Sequence, residues 1–348
     1  MLIRSFGVFG MLGLGLALAL GEGGFRVNIF DPSTSYNRET VRLLWIVMGF
    51  AALVFFAVTA AMTYTVLKFR RTGKEKGNPP QFHGNDRLEV AWTIIPTIIV
   101  FIIFGATANS MFKLSKVPGD AMVVKITGYQ YWWDFEYPEL GIRTPNEVVV
   151  PVGKPVRFEI TSADVIHSPW LTSLVGKADA IPGVITKSWV TPEKVGTYYG
   201  QCAELCGASH SNMRFRVLVV PQEQFDTFVG QAKNYRATPA QDARLQQGET
   251  LFKTNCATCH AIGGIAQTPA TRAFPDLSFF GSHTTVGGGI WANKPEYLEP
   301  WIKNSPAMKP GSKMPAFTQL SDDEVKALAE YLVSHKLEGV DFAGLPKY

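Results

Sequence analysis

The sequence predicts a multidomain chain: a transmembrane helical hairpin, then an all-β sandwich, then an all-α domain. Two long apolar stretches without a charge lie at 43–67 and 90–112. Short β-rich runs parted by Pro, Gly, Asp and Asn fill 122–220, and helical periodicity takes over after 240. The 348 residues suffice for two or three such domains. Charged residues are 18%, against about 25% in soluble proteins, and hydrophobic residues are 46%, so part of the chain belongs in lipid. A net charge of +4 with no long basic run gives no footprint for nucleic acid. The four cysteines form two close pairs, too few to staple a small scaffold.

Residues 6–20 follow Arg4 and are too short to cross a bilayer comfortably. With Ala17 and Ala19 in an A-x-A-like arrangement they read as the core and cleavage region of a signal peptide over 1–21; an uncleaved interfacial segment is the alternative. The stretches 43–67 and 90–112 each exceed the roughly 20 residues that span hydrocarbon, which makes 22–116 a hairpin in the lipid bilayer rather than core helices of a soluble domain. Pro96 falls in the first two turns of the second span, where a helix tolerates it or kinks. Between the spans lie Lys68, Arg70, Arg71, Lys74, Lys76 and Arg87, against Glu75, Asp86 and Glu89. That excess makes the loop cytoplasmic by the positive-inside rule. Everything after Lys113 is then expected outside, in an oxidising compartment.

Residues 117–221 form the expected β domain. The runs MVVKITGYQYWWDFEY, EVVVPVGKPVRFEITS, ITKSWV, GTYYGQC and MRFRVLVV predict an antiparallel sandwich or small barrel. Residues 222–240 read as a polar linker bounded by Pro221 and Pro239. From 241 to 348 the pattern is helical. DARLQQGETLFKTN sets Leu245, Gly248, Leu251 and Phe252 on one face. SDDEVKALAEYLVSHK opens on Ser321 and Glu324, a capping box, and carries an apolar stripe of Val325, Leu328, Ala329 and Leu332.

CATCH at 256–260 ends the first of these helices. C-x-x-C-H is an attachment site for c-type haem: Cys256 and Cys259 form thioethers to the two vinyl groups, and His260 reaches the iron. A thioredoxin-like pair needs a βαβ context that is missing, and half a zinc site needs a further pair that His283 and His335 are not spaced to supply. A methionine as sixth ligand raises the reduction potential, as suits a carrier feeding a strong oxidant. Met314 in SKMPAF and Met308 in SPAMKPG are the candidates, and a core methionine is the plain reading of either. The segment resembles a complete class I cytochrome c. The resemblance favours Met314, because the proline after it and the helix at Ser321 are similar to that family's ligand loop. It also casts Gly248, Phe252 and Tyr331 as the family's helix-crossing contact. Charges in this segment nearly balance, which predicts weak steering of a soluble partner and fits a tethered haem domain.

QCAELCGASHSNM, at 201–213, holds the other cysteine pair. Outside the membrane, Cys202 and Cys206 have a plain reading as a disulfide. Yet His210 and Met213 follow in the same loop between two expected strands, and His167 stands upstream in SADVIHSPW. Two thiolates, two imidazoles and a thioether form a soft set suited to copper rather than magnesium or calcium. A mononuclear blue-copper site takes one Cys, two His and a weak axial Met. A second thiolate lets both sulfurs bridge two coppers, each with one His, Met213 completing one and the Glu204 carbonyl the other. One electron spread over two metals in a rigid frame suits transfer, not substrate chemistry. No general base, nucleophile or open metal position argues for catalysis within the chain.

The pattern H…C-x-E-x-C-x3-H-x2-M behind a two-helix hairpin resembles subunit II of haem–copper cytochrome c oxidases of the caa3 type, over essentially the whole chain. The resemblance implies a cupredoxin-like Greek-key sandwich with a dinuclear copper A centre, followed by a class I cytochrome c. It implies that His167, Cys202, Glu204, Cys206, His210 and Met213 ligate copper, with the Glu204 side chain available to magnesium against subunit I. Cys256, Cys259, His260 and Met314 then hold haem c. YQYWWDFEY resembles the aromatic segment beside copper A, with Tyr131 at the position, often Trp, where electrons arrive. GKADAIPG resembles the stretch facing subunit I. Glu89, three before Trp92, resembles a carboxylate at the cytoplasmic mouth of a proton channel; a charge anchoring a helix end is the alternative.

The implied role is electron transfer to haem in subunit I, where oxygen is reduced. The external donor is a small cytochrome c or a quinol-oxidising complex, and subunit III is a further partner. The implied location is the bacterial plasma membrane, with the copper and haem domains on its outer face. A free-standing redox carrier and a copper chaperone compete with this reading. Two anchoring helices and Glu89 argue against the first, and a closed ligand set argues against the second. A quinol-oxidase subunit of the same architecture could dispense with the copper ligands, all of which are present.

Overall fold

The structure, a computed structural model, describes residues 20–21, 25–26, 30–71, 73, 77, 84–267 and 273–348. The leader expected over 1–21 lies, but for its last two residues, outside them; so do Lys74 and Lys76 of the expected cytoplasmic loop. Leu20–Gly21 (β1) pairs antiparallel with Phe25–Arg26 (β2). Tyr36–Val117 make one compact unit, and Pro118–Tyr348 with the residues up to Ser35 make another.

The first unit holds α1 (Ser35–Phe69) and α2 (Asp86–Leu114), which contain both expected spans. Their apolar side chains point outward: Leu53, Phe55, Phe56, Ile98, Phe101 and Phe104 are all exposed. That arrangement is stable where hydrocarbon replaces water, since the helices satisfy their own backbone. Asn85 caps α2, its side chain accepting from the Arg87 and Leu88 amides. Ser110 and Lys113 of α2 both donate to Glu39 of α1, which ties the two helices together.

The β domain is built on nine strands. β3 (Met122–Tyr129), β4 (Trp132–Tyr137), β5 (Ile142–Pro145), β7 (Val156–Ser162) and β9 (Thr186–Val190) form a sheet in the order β5-β4-β3-β7-β9. β6 (Glu147–Pro151), β8 (Pro169–Trp170), β10 (Gly196–Cys202) and β11 (Arg214–Val220) form the other, in the order β6-β11-β10-β8. Trp133 and Phe135 of one sheet meet Phe215 of the other at ring distances of 5.6 and 5.7 Å, closing a core that includes Val124, Phe158 and Tyr198. The expected strands are all present, but the sheets are mixed rather than antiparallel: β3 runs parallel to β7, and β6 parallel to β11. β7 shows the alternating burial of a half-covered strand, whereas β6 is buried throughout.

Residues 222–240 depart from a loose linker. Gln222–Lys233 is a helix, α3, whose Phe225, Phe228 and Ala232 are buried. The Phe228 ring lies 6.2 Å from Tyr137 of the sandwich, and 6.3 and 6.2 Å from Phe279 and Phe342 of the segment beyond. The connector is an apolar wedge that seats one domain against the other. Residues 346–348 add to this by lying along β10: Thr197 bonds to the Pro346 carbonyl and the Tyr348 amide, and Tyr348 stacks on Tyr198 at 5.1 Å.

The helical domain contains α4 (Ala243–Asn255), α5 (Pro295–Met308) and α6 (Asp322–Ser334), with a small hairpin of β12 (Thr285–Val286) and β13 (Trp291–Ala292). The capping box at Ser321 and Glu324 forms as expected, each side chain bonding the other's backbone amide. α4 crosses α6 at Gly248, where an added Cβ would stand 2.4 Å from the Ala327 carbonyl oxygen and 2.5 Å from Tyr331 Cβ. Gly248→Val therefore forces the helices apart. We expect a cost of about 1–3 kcal/mol and a fall of roughly 5 °C or more in the melting of this domain, followed by far-UV circular dichroism.

Candidate metal centre and haem cavity

β10 ends at Cys202 and β11 begins at Arg214, and their antiparallel register pairs Gln201 with Arg214. The intervening loop is closed at its base by the Cys202 amide on the Met213 carbonyl (2.9 Å), and a 3-10 turn at His210–Asn212 folds its tip back. His167 comes from a separate segment, held by paired backbone bonds to Ala180 of 3.1 and 2.7 Å. These supports gather every group expected to bind copper. Cys202 Sγ lies 3.9 Å from Cys206 Sγ, 4.0 Å from His167 Nδ1 and 3.3 Å from the Glu204 carbonyl oxygen. Cys206 Sγ lies 3.7 Å from His210 Nδ1 and 3.9 Å from Met213 Sδ. His167 and Met213 are wholly buried, both thiols are free, and their separation far exceeds the roughly 2.05 Å of a disulfide.

This donor set passes the test for a soft metal pair. Two sulfurs face each other, each with one imidazole nitrogen beside it, and a thioether and a carbonyl close the ends. Glu204 itself is exposed. The two thiols titrate as a pair. The first proton leaves readily, since the Cys202 thiolate is held by Cys206 despite burial and is further supported by His167 and the Ser168 region. The second is held on Cys206 by the neighbouring thiolate and by burial. A bound cation reverses that repulsion.

Sequence reasoning missed the supports around this cluster. His167 Nε2 bonds to Asp164 Oδ1 at 2.7 Å, which turns Nδ1 toward the sulfurs. Burial alone would lower His167 and raise Asp164. His167 gains from its hydrogen bonds to Cys202 and to the Asp164 carboxylate, and Asp164 from accepting those of His167 and the Gln130 amide; these outweigh burial, so His167 moves up and Asp164 down. A carboxylate three residues before a candidate histidine was a legible sign of this. Asp164→Ala is expected to weaken copper binding by about 10–100-fold, checked by competition against a chelator of known affinity.

In the helical domain, Cys256 caps α4, and Cys256, Cys259 and His260 line one side of an apolar cavity with Phe252, Leu298, Ile302, Leu328 and Leu332. His260 Nδ1 donates to the Pro275 carbonyl at 2.8 Å, which leaves Nε2 as the free ligand nitrogen. Burial lowers the basicity of His260 despite that bond, and burial with the nearby Cys259 pushes the Cys256 thiol up to about 11. Met314 lines the cavity, and among the described residues Met308, at the end of α5, does not. Ser305 Oγ holds the Met314 carbonyl at 2.9 Å. Paired thiols, an imidazole, a thioether and an apolar lining fit a covalently attached haem. The cavity's remaining wall is the sandwich itself: Gln130, Tyr131, Trp132, Pro145 and Asn146. Tyr131 is only 9% exposed. Glu89 is exposed in the first turn of α2.

Comparison with known proteins agrees with this division. The family described as cytochrome c oxidase subunit II, transmembrane domain, matches residues 24–108, the periplasmic domain of the same subunit matches 140–220, and cytochrome c matches 245–336. Cytochrome c oxidase subunit 2 of Alkalihalophilus pseudofirmus is 33% identical over 313 residues, covering 88% of this chain and 89% of the relative. The chain belongs to the cytochrome c oxidase subunit II family. The subunit 2 of Bacillus subtilis is 37% identical over 294 residues, 79% of this chain and 82% of its own. The quinol oxidase subunit 2 of Bacillus subtilis is 32% identical over 219 residues, 61% of this chain and 68% of its own. As a subunit II with an added cytochrome c domain, the chain is an electron-transfer part of an oxidoreductase complex and associates with subunit I. It is a membrane protein with its copper and haem domains on the outer face, and its families imply copper A and haem c.

Proposed function

We propose that this subunit passes electrons from an external donor through its own haem domain and copper loop to subunit I of the oxidase. When bound, haem c and copper A supply the one-electron steps, in that order, that feed the haem of subunit I, where oxygen is reduced. His167, Cys202, the Glu204 carbonyl, Cys206, His210 and Met213 would hold the copper pair; Cys256 and Cys259 would anchor the haem, and His260 and Met314 would supply its protein ligands. One observation carries the proposal: the loop bearing Met314 touches the loop bearing the copper ligands. Ser209, between Cys206 and His210, donates to the Pro310 carbonyl at 2.6 Å. Tyr131 forms part of the wall between the two.

Burial of Tyr131 beneath the haem domain supports the tethered haem, rather than a diffusing cytochrome, as the donor at that point. A small cytochrome c or a quinol-oxidising complex delivers electrons to the haem in turn. We assign the Glu204 side chain to a magnesium ion at the subunit I interface and Glu89 to the mouth of a proton path. The setting is a bacterial plasma membrane, with subunit III completing the complex. The likeness to a quinol oxidase subunit does not extend to the role, because a full thiolate, imidazole and thioether set is assembled here.

Photochemical injection of one electron into the purified complex tests the order. The band of reduced haem c should rise first and decay as the copper absorbance bleaches, with reduction of the haem of subunit I last. Reduction of subunit I without passage through the copper signal would contradict it.

A further inference from the structure

Two buried ionisable side chains meet the backbone of the opposite domain, and neither belongs to a cofactor ligand set; burial pulls the pKa of Lys309 down to about 7. Glu147, at the start of β6 in the sandwich, is 3% exposed. Its carboxylate accepts from the Thr284 amide (3.0 Å), the Thr284 hydroxyl (2.9 Å) and the Thr285 hydroxyl (2.5 Å), all in the haem domain. Lys309, in the loop that leads to Met314, is also 3% exposed. Its Nζ donates to the Tyr131 carbonyl of the sandwich (2.6 Å) and to the Gly287 carbonyl of its own domain (2.9 Å).

The turn between these contacts is shaped for close approach. Gly288 has φ +78°, and an added Cβ there would stand 2.4 Å from Lys309 Nζ and 3.0 Å from the Tyr131 carbonyl oxygen. The Arg214 amide, next to Met213, bonds across the boundary to the Gly288 carbonyl at 3.0 Å.

We propose that Glu147 and Lys309 are positioning residues, a reciprocal lock that fixes the register of the haem domain on the copper domain. α3 holds the domains together through apolar contact, which tolerates sliding. A buried carboxylate or amino group that depends on set hydrogen bonds does not tolerate it. Arg216 stays beside Glu147 in any seating, but the bonds from Thr284 and Thr285 and the bond from Lys309 to the Tyr131 carbonyl exist only in this one, so any other seating that buries this face leaves buried polar groups without those partners. The pair selects one geometry more than it adds affinity. That geometry places the Met314 loop against Tyr131 and Ser209. The inference rests on the proposed haem-to-copper order for its use, but not for its existence.

The test uses the full chain in the assembled oxidase, with Glu147→Gln, Lys309→Met and Thr285→Val. Thr285→Val leaves Glu147 and its register neighbour Arg216 intact, so it keeps the question open to refutation if a Glu147 variant fails to fold. The first readout is amide hydrogen exchange at Thr284 and Arg214, which donate across the boundary, with Ile126 in β3 and Leu328 in α6 as references. A lock predicts exchange at both boundary amides faster by roughly tenfold or more while the references hold, and non-additive effects of Glu147→Gln with Thr285→Val. The second readout is haem-to-copper electron transfer after photochemical injection, with and without added viscogen. It should be independent of viscosity in the unaltered protein, and slower by about tenfold and viscosity-dependent in the variants. Unchanged boundary exchange and unchanged transfer in the variants would overturn the lock. Absence of haem-to-copper transfer in the unaltered protein would instead overturn the order of transfer, and the exchange measurement would still decide the lock.

Discussion

Cys206→Ser should cost this subunit its copper pair and, with it, cytochrome-driven oxygen uptake by on the order of a hundredfold or more. A neighbour that merely orients a ligand commands 10–100-fold in metal affinity, and Cys206 is itself one of two facing thiols, so its loss should exceed that range. The substitution exchanges sulfur for oxygen with little change of shape, and the pairing of β10 with β11 does not depend on it. The fold should therefore survive. A second readout follows from linkage: copper at 100 times its dissociation constant stabilises the native domain by about 2.7 kcal/mol. The thermal shift on adding copper should be present in the unaltered protein and absent in Cys206→Ser. A variant that keeps both the copper content and the thermal shift would exclude Cys206 from the site.

Met314→Leu should leave the haem attached, since Cys256 and Cys259 hold it covalently, but strip the iron of its thioether. A Met and His ligand pair raises the potential of a haem, and axial ligands command a range of about 0.8 V. A drop on the order of 0.1 V is therefore expected. At 59 mV per decade for one electron, the equilibrium for accepting an electron from a given donor falls by about 50-fold. Redox titration of the haem c band measures this, and Met308→Leu is the control. Met308 ends α5 away from the cavity that Met314 lines. An effect of Met308→Leu as large as that of Met314→Leu would reverse the assignment.

Much of the molecule was legible because its signals are local. The capping box at Ser321 and the helical face of DARLQQGETLFKTN each depend on neighbours in sequence, and the structure places both on helices. The copper loop was legible because five of its six donors lie within residues 202–213; His167, 35 residues before Cys202, was reached only through its chemistry. The connector was misread for a physical reason. Its polar composition hid Phe225, Phe228 and Ala232, which share one helix face and meet aromatic rings from both domains. α5 was missed because Pro300, Pro306 and a non-helical Asn304 interrupt its pattern. The parallel pairings are set by which distant strands meet, and nothing local to β3 or β6 announces them. Glu147 and Lys309 were beyond reach for the same reason: each reads as a solvated charge until the partner domain is in place.

The central claim is a copper pair held between two facing cysteines, with a haem seated beside it on the same chain. Electron paramagnetic resonance on the full-length subunit, matured with haem and loaded with copper, tests it most directly. The arrangement of Cys202, Cys206, His167, His210 and Met213 predicts a hyperfine pattern from one unpaired electron shared equally by two copper nuclei. A pattern from a single copper nucleus, or no bound copper with Cys202 and Cys206 joined, would contradict it.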